Sequence, residues 1–515
     1  MRSTFMGLEA SKRGLFTQQS ALYTTGHNIA NANTQGYSRQ RVNMQPTLGY
    51  PGTGLNAPKT AGFIGTGVEA HSVQRIRDGF IDRQYRQETN KLGYWESRSQ
   101  AITQMEDILS EPSEFGLNES LNQFWKSLQD LSTNPENAGA RKVVIQRGTA
   151  VAESFNYIHT QLSDIQANIK NELRVSTKDI NSMLEQIASL NGQIAAIEPN
   201  GYMPNDLYDA RDNLLDELSE YFPLEISYDK SGGGALDIAE GIVNVSIQTK
   251  TGAIAVVAGK DFSEMTTSLT STETYEDYGQ ITFSSVGNAT GGNYAYSDMP
   301  INKGKILSLI DSYGRGPAGA EVGYYPSMLE NLNDMAKAFA DEFNSVHQSG
   351  FSLPDELTGN SSTGLNFFED GSGGTAITAA NIIVANNLLT NPSLVAASNA
   401  NAEEGNGQNA LDLSNTKFTQ LTVGTTTNTT VQTFYQSIIG QLGVDGEQAN
   451  RLTYNSETIK MAVANNKASV SAVSLDEEMT NMITFQQAYN ASARMITVVD
   501  ETLDKIINGM GRVGI

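Results

Sequence analysis

Four histidines, His27, His71, His159 and His347, are the first residues to weigh for chemistry, and no cysteine accompanies them. Their contexts, HNIAN, HSVQR, HTQLS and HQSGF, lack the HExxH spacing that sets two imidazoles on one helix face around zinc. Without cysteine there is no thiolate ligand, no thiol nucleophile and no disulfide framework. The stretch GTGLNAPKTAGFIGTG (Gly52–Gly67) is friendly to phosphate. It has no strand before it and no helix start after it, so it reads as a loop. EDGSGG (Glu369–Gly374) resembles the start of a calcium loop, but the twelfth position from Asp370 is Asn381 where the loop needs Glu. Acidic pairs such as Glu276-Asp277 are common among 57 Asp and Glu, and nothing in their spacing sets two across a cleft. GxSxG and GxxxxGK(S/T) are absent. The reading is a non-enzyme with no cofactor and no metal.

Charge narrows the partners. Lys and Arg number 34 against 57 acids, a formal charge of −23, whereas phosphate binding needs a basic surface. Nucleic acid is not an expected partner. The acidity is uneven: residues 1–98 hold 12 basic and 6 acidic side chains, and the remaining 417 hold 22 and 51. The ends are weakly complementary, with Arg2, Lys12, Arg13, Arg39 and Arg41 in the first 41 residues and six acids in 475–515. No apolar run approaches the ~20 residues that span a bilayer, so no membrane partner is expected. The start, MRSTFMGLEASKRGLF, lacks the apolar core of a secretion leader, and export would need another route.

The elements that position these residues are mostly helices. Proline is absent before Pro46 and after Pro392, so both ends can be long helices. Met1, Leu8, Leu15, Leu22 and Ile29 recur every seven residues, one apolar row of a helix that should stop near Asn31 in the turn-forming ANANTQGYS. At the other end Ser474-Leu-Asp-Glu477 has the spacing of a capping box. After it Leu475, Met479, Met482, Gln486, Tyr489, Ala493, Ile496, Asp500, Leu503, Ile507 and Met510 follow 4-3 spacing, with Gln486 and Asp500 as polar breaks. Such a helix is marginal alone and needs a partner for its apolar face.

Between the ends, helices are expected over Phe80–Leu109, Leu117–Leu131, Asp206–Tyr221, Tyr325–Val346 and Phe434–Val470. Asn134-Pro135 has the residue types of a helix start, with a periodic pattern to about Ile197 long enough for a coiled-coil-like hairpin or an extended bundle. LEISY, IVNVSIQ, AIAVVAG and QITFSSV read as strands. The fold class is multidomain α+β: paired N- and C-terminal coiled-coil helices, a long helical bundle and inserted β-rich domains. The division is 1–75 with 475–515 as the terminal core, and 76–222 with 319–349 and 429–474 as the bundle. The segment 223–318 is an inserted β-rich domain, and 350–428 is a second small insert or extended loop region.

The segment NIANANTQGYSRQ (Asn28–Gln40) resembles the N-terminal signature of flagellar rod, hook and hook-associated axial proteins. The preceding GLEASKRGLFTQQSALYTTGHNIA and the SRQ at Ser38–Gln40 narrow the resemblance to the flagellar hook-associated protein 1 family, the hook–filament junction proteins. The C-terminal SLDEEMTNMITFQQAYNASARMITVVDETLDKIIN is similar to that family's end. Gln35 stands where the family often has Pro, and Thr502 where Met is common.

The resemblance implies assembly rather than catalysis. The paired ends would form the axial core, with an interface carried by Leu8, Leu15, Leu22, Asn28, Ile29, Asn31, Gly36, Tyr37, Leu475, Met479, Met482, Tyr489, Ile496, Leu503 and Ile507. Implied partners are the hook protein, the next junction protein, further copies of the chain in a ring, and an export chaperone on the C-terminal helix. The implied location is outside the cell, at the hook–filament junction, reached through the flagellar type III apparatus. A sibling axial protein such as the hook protein is the alternative, and an adhesin carried on the inserts is a third reading.

Overall fold

The computed structural model describes residues 5–50, 64–109, 116–250, 252–267, 278–317, 320–355, 359–374 and 376–509. Met1, Met510, Glu276-Asp277 and most of the Gly52–Gly67 loop lie outside the described residues. The chain opens with α1 (Phe5–Ala30), then β1 (Gln40–Pro46) and β2 (Val68–Arg75), which pair antiparallel. Four helices follow: α2 (Gly79–Leu109), α3 (Leu117–Thr133), α4 (Ala138–Ile197) and α5 (Asn205–Tyr221).

The expected start at Asn134-Pro135 is corrected. The cap of α4 is Asn137, whose side chain accepts from the amides of Gly139 (2.8 Å) and Ala140 (3.2 Å). Residues 134–137 instead form a turn held by buried Arg141, whose Nε donates to the Pro135 carbonyl at 2.7 Å. The long pattern that followed is one helix of 60 residues rather than a hairpin. Its buried row, Val151, Phe155, Ile158, Leu162 and Ile169, passes through Leu173 and Ser176 to Ile180, one stutter absorbed without a break.

A six-stranded antiparallel meander comes next: β3 (Leu224–Asp229), β4 (Ile242–Gln248), β5 (Ala253–Ala258), β6 (Asp261–Thr267), β7 (Gln280–Val286) and β8 (Gly292–Ala295). Val243, Val245 and Ile247 alternate inward, as a sheet with one covered face requires. Two asparagines of α4 seat the sheet by mimicking a strand. Asn191 donates to Val243 O (2.7 Å) and accepts from Val243 N (3.1 Å), and Asn181 does the same to Met265 (3.0 and 2.7 Å). The β-rich reading of 223–318 missed α6 (Lys305–Tyr313), whose short run gives less than three turns of pattern.

After α7 (Tyr324–Ser349) come β9 (Phe368–Asp370), β10 (Ile382–Val384), α8 (Asn386–Thr390), α9 (Gln408–Asn415), β11 (Leu421–Val423) and β12 (Thr426–Thr429). Two long helices close the chain, α10 (Val431–Ser471) and α11 (Leu475–Gly509). One buried apolar cluster runs through bundle, sheet and the 350–428 segment, and it contains no residue of α1 or α11.

Phe367 and Phe368 join Phe124, Phe339 and Phe343 in the centre of that cluster, with neighbouring ring centroids 4.9–6.3 Å apart. Gly148 of α4 makes room for them, since a Cβ there would fall 2.6 Å from Phe367 Cε1. Gly148→Ala is expected to destabilise the body by about 1–3 kcal/mol through overpacking, despite alanine's better helix propensity. A thermal melt followed by circular dichroism checks this, and a raised midpoint would contradict it.

Candidate functional site

The terminal helices pair antiparallel. A Cβ on Gly7 would lie 3.7 Å from Val499 and one on Gly14 would lie 3.2 Å from Ser492, while Asn28 hydrogen-bonds Glu478. Gly7, Gly14, Ala21 and Asn28 recur every seven residues, so small side chains let α1 approach its partner closely. Leu8, Leu15, Leu22 and Ile29, the predicted row, are half-buried one position along.

On α11 the half-buried row is Met482, Phe485, Tyr489, Ser492, Ile496, Val499 and Leu503. Four predicted members, Met482, Tyr489, Ile496 and Leu503, belong to it. The alternate members change: Phe485 and Val499 take the places expected for Gln486 and Asp500, which face solvent. Leu475, Met479 and Ile507, expected in the same seam, are instead 47, 51 and 68% exposed. A heptad marks one row, and 3-4 and 4-3 readings share every seventh residue; the partner decides the rest.

Asn28, Gly36 and Tyr37 meet in a latch at the base of this hairpin, with Asn31 beside it. Asn28 is fully buried and uses both ends of its amide. It donates to Gln40 O (2.8 Å) and Glu478 (3.2 Å) and accepts from Gln40 N (3.0 Å) and the Tyr37 hydroxyl (2.8 Å). Asn31 donates to the His27 carbonyl (3.1 Å) at the exit of α1. Gly36 takes φ +77°, and a Cβ would fall 2.0 Å from the Asn213 side-chain amide, so any other residue would strain the backbone and displace Asn213. Burial pushes the Tyr37 phenol up, and Asp206, Asp209 and Glu478 push it further, so it stays a neutral donor.

Arg39 completes the latch. Its guanidinium binds Glu478 (2.7 Å) and Glu477 (2.8 Å), and its amide donates to Ser471 O (2.9 Å). The capping-box reading is corrected here, because Glu477 is committed to a charge-assisted bond stronger than one to a neutral amide. The hydrogen bond to Arg39 comes first among the causes that hold the exposed Glu477 carboxyl below its ordinary range.

A second layer sits under the latch, and sequence reading missed it. Asp206, Asp209, Asp212 and Asp216 line one face of α5. Asp212, fully enclosed, accepts from Arg75 (2.9 Å), Arg77 (2.6 Å) and Arg86 (3.2 Å). Arg75 also binds Asp209 (2.6 Å) and Glu240 (2.5 Å), Arg86 binds Asp216 (2.6 Å), and Lys467 of α10 reaches Asp216 (2.6 Å). Burial pushes the Asp212 carboxyl up, but Arg77, Arg75, Arg86 and Arg211 outweigh it and hold the group far below the usual range. Burial likewise disfavours the Arg75 charge and is outweighed by Asp212, Glu240 and Asp209. The two layers connect where the Ser38 amide donates to Asp209 (2.9 Å) and Gln40 to Asp206 (2.9 Å). The sequence-level trace was the basic first 98 residues set against an acidic remainder.

The arrangement holds and orients; among its described groups nothing activates a nucleophile. The model for the helical domain of flagellar hook-associated protein FlgK matches residues 102–368. The C-terminal model of flagellar basal body rod FlgEFG proteins matches 467–509, and that of flagella basal body rod proteins matches 8–37. Flagellar hook-associated protein 1 of Bacillus subtilis (strain 168) is 44% identical over 519 residues, covering 99% of each chain. The chain belongs to the flagellar hook-associated protein 1 family.

The namesake of Escherichia coli (strain K12) is 25% identical over 96% of this chain and 98% of its own. The solved flagellar hook junction protein FlgK from Burkholderia pseudomallei shares the fold, with a TM-score of 0.59 at 13% identity, covering 76% of this chain and all of that one. Membership in the hook-associated protein 1 family makes the chain a structural, axial component of the bacterial flagellum at the hook–filament junction. Its rod-type ends associate with other axial components. In this family member the two rod-type matches cover most of α1 and α11, and the latch lies where they meet.

Proposed function

We propose that copies of this chain form a ring between the hook and the next junction protein, outside the cell, with α1 and α11 completed by neighbouring subunits. One observation carries the reading: α11 has 35 residues and Glu478 is its single buried side chain among those described. Ile483, Met495, Val498 and Ile506 are 57, 53, 49 and 46% exposed, an apolar face that needs cover. The same unfinished face fits passage through the flagellar type III apparatus with a chaperone held on α11. A helix lacking its own core stays loosely ordered until covered.

Leu503→Asp tests this. It is expected to abolish assembly and motility while leaving the secondary structure and melting point of the body unchanged, since Leu503 lies outside the core cluster. Normal motility would remove the seam from the interface. In dilute monomer, amides of 5–20 and 486–509 are expected to exchange rapidly with deuterium, more slowly toward the latch. Uniform strong protection would show that the hairpin needs no partner.

A further inference from the structure

An open cavity of about 910 Å³ lies between α2, α6, α7 and α10, away from the latch. Its size falls within the ~300–1,000 Å³ of small-molecule sites. Its walls include Tyr94, Tyr296, Tyr324, Met299, Met328 and Ile438. Its charged lining is Arg98, Lys250 and Arg315 against Asp311 and Asp445, one net positive charge inside a chain of −23.

The cations differ in what occupies them. Lys250 donates to the Ser297 carbonyl (2.8 Å). Arg315 lies flat on Tyr296 (3.4 Å to the ring centroid) and binds Asp311 (3.2 Å). Asp311 is further engaged by the Tyr296 hydroxyl (2.7 Å) and the Tyr94 hydroxyl (3.3 Å). Arg98 lies between Trp95 (5.4 Å) and Tyr324 (4.9 Å), also acts on the Tyr94 hydroxyl and, through charge, on Asp311, but forms no carboxylate ion pair within 4 Å among the described residues and keeps a buried Nε without a hydrogen-bond partner. Contact with two rings restrains its planar fork, which lowers the side-chain entropy lost when a guanidinium takes a carboxylate.

We propose that this cavity binds a free organic acid, with Arg98 taking a single carboxylate and the tyrosine and methionine walls taking an aromatic body. A monoanion fits the net charge. A phosphate dianion would face both Asp311 and Asp445. Asp311, raised by burial, serves to orient Tyr94 and Tyr296 around the acid.

The test titrates the full-length chain with phenylacetate, using calorimetry and the emission of Trp95, one of two tryptophans. Saturable binding is expected, with no binding of phenylacetamide or inorganic phosphate. Arg98→Gln should weaken it about tenfold or more, and Arg98→Lys should weaken it less, keeping the charge but losing the fork. If Arg98→Gln fails to fold, the comparison of acid with amide on the unaltered chain decides. No saturable binding, equal binding of acid and amide, or full affinity in a folded Arg98→Gln variant would each overturn the proposal.

Discussion

Asp212→Asn lowers the stability of the folded chain by about 3–5 kcal/mol, the usual consequence of breaking a buried ion pair while leaving its partners in place. The amide has the carboxylate's shape but no charge, so Arg75, Arg77 and Arg86 lose the anion they share, 2.6–3.2 Å away. The exposed pair Arg13–Glu9 supplies the contrast. At 3.3 Å and about half exposed, its removal by Glu9→Gln is expected to change stability by less than about 1 kcal/mol. The pH dependence has a definite sign. The Asp212 carboxyl lies lower in the folded chain than its ordinary 3.8, so its contribution is complete above that range and is withdrawn as pH falls through and below it. The gap between wild type and Asp212→Asn should therefore narrow on acidification. Urea titrations at neutral pH and near the carboxylate range measure both effects, and equal midpoints at neutral pH would mean that the network adds nothing to stability.

Asn28→Asp is expected to free α11 at its base. The substitution removes the donor that serves Gln40 O (2.8 Å) and Glu478 (3.2 Å), and puts a second carboxylate beside a Glu478 that is 2% exposed. Each stranded buried group costs about 1–3 kcal/mol, and like charges in low dielectric add to that. Glu478 is the buried side chain of α11, so few other contacts offset the loss. Tryptic cleavage at Arg39 and amide exchange over 475–485 should accelerate markedly. The unfolding free energy of the body, from urea titration, should stay within about 0.5 kcal/mol of wild type, because its core includes neither terminal helix. Unchanged cleavage and exchange would show that Asn28 is not what closes the hairpin.

Long elements were legible because periodicity accumulates: α2, α4, α10 and α11 end within a few residues of where their patterns end. Short α6 was not, since a run of nine residues inside a strand-rich stretch carries too little pattern. The terminal pairing was half legible. A search for apolar repeats finds Leu8, Leu15, Leu22 and Ile29, and passes over Gly7 and Gly14, where an added Cβ would lie 3.7 Å from Val499 and 3.2 Å from Ser492. Asn28, Gly36 and Tyr37 were found through their motif. Their ion-paired support was not, because Arg75 and Asp212 are 137 residues apart and each alone looks like a surface charge.

α5 is gripped twice along its length. Asp206 meets the latch, Asp209 meets both the latch and Arg75, and Asp212 and Asp216 face the arginines, over a span of about 15 Å. A beam clamped at one point can pivot; one clamped at two resists both tilt and roll. A load entering through the hairpin would thus reach the body at a stiff root, and the more compliant part would lie farther out, where α1 and α11 meet without ion pairs among the described residues and with glycines at Gly7 and Gly14. In the ring proposed above, a subunit built this way would take up curvature between neighbouring hairpins while its body kept one orientation.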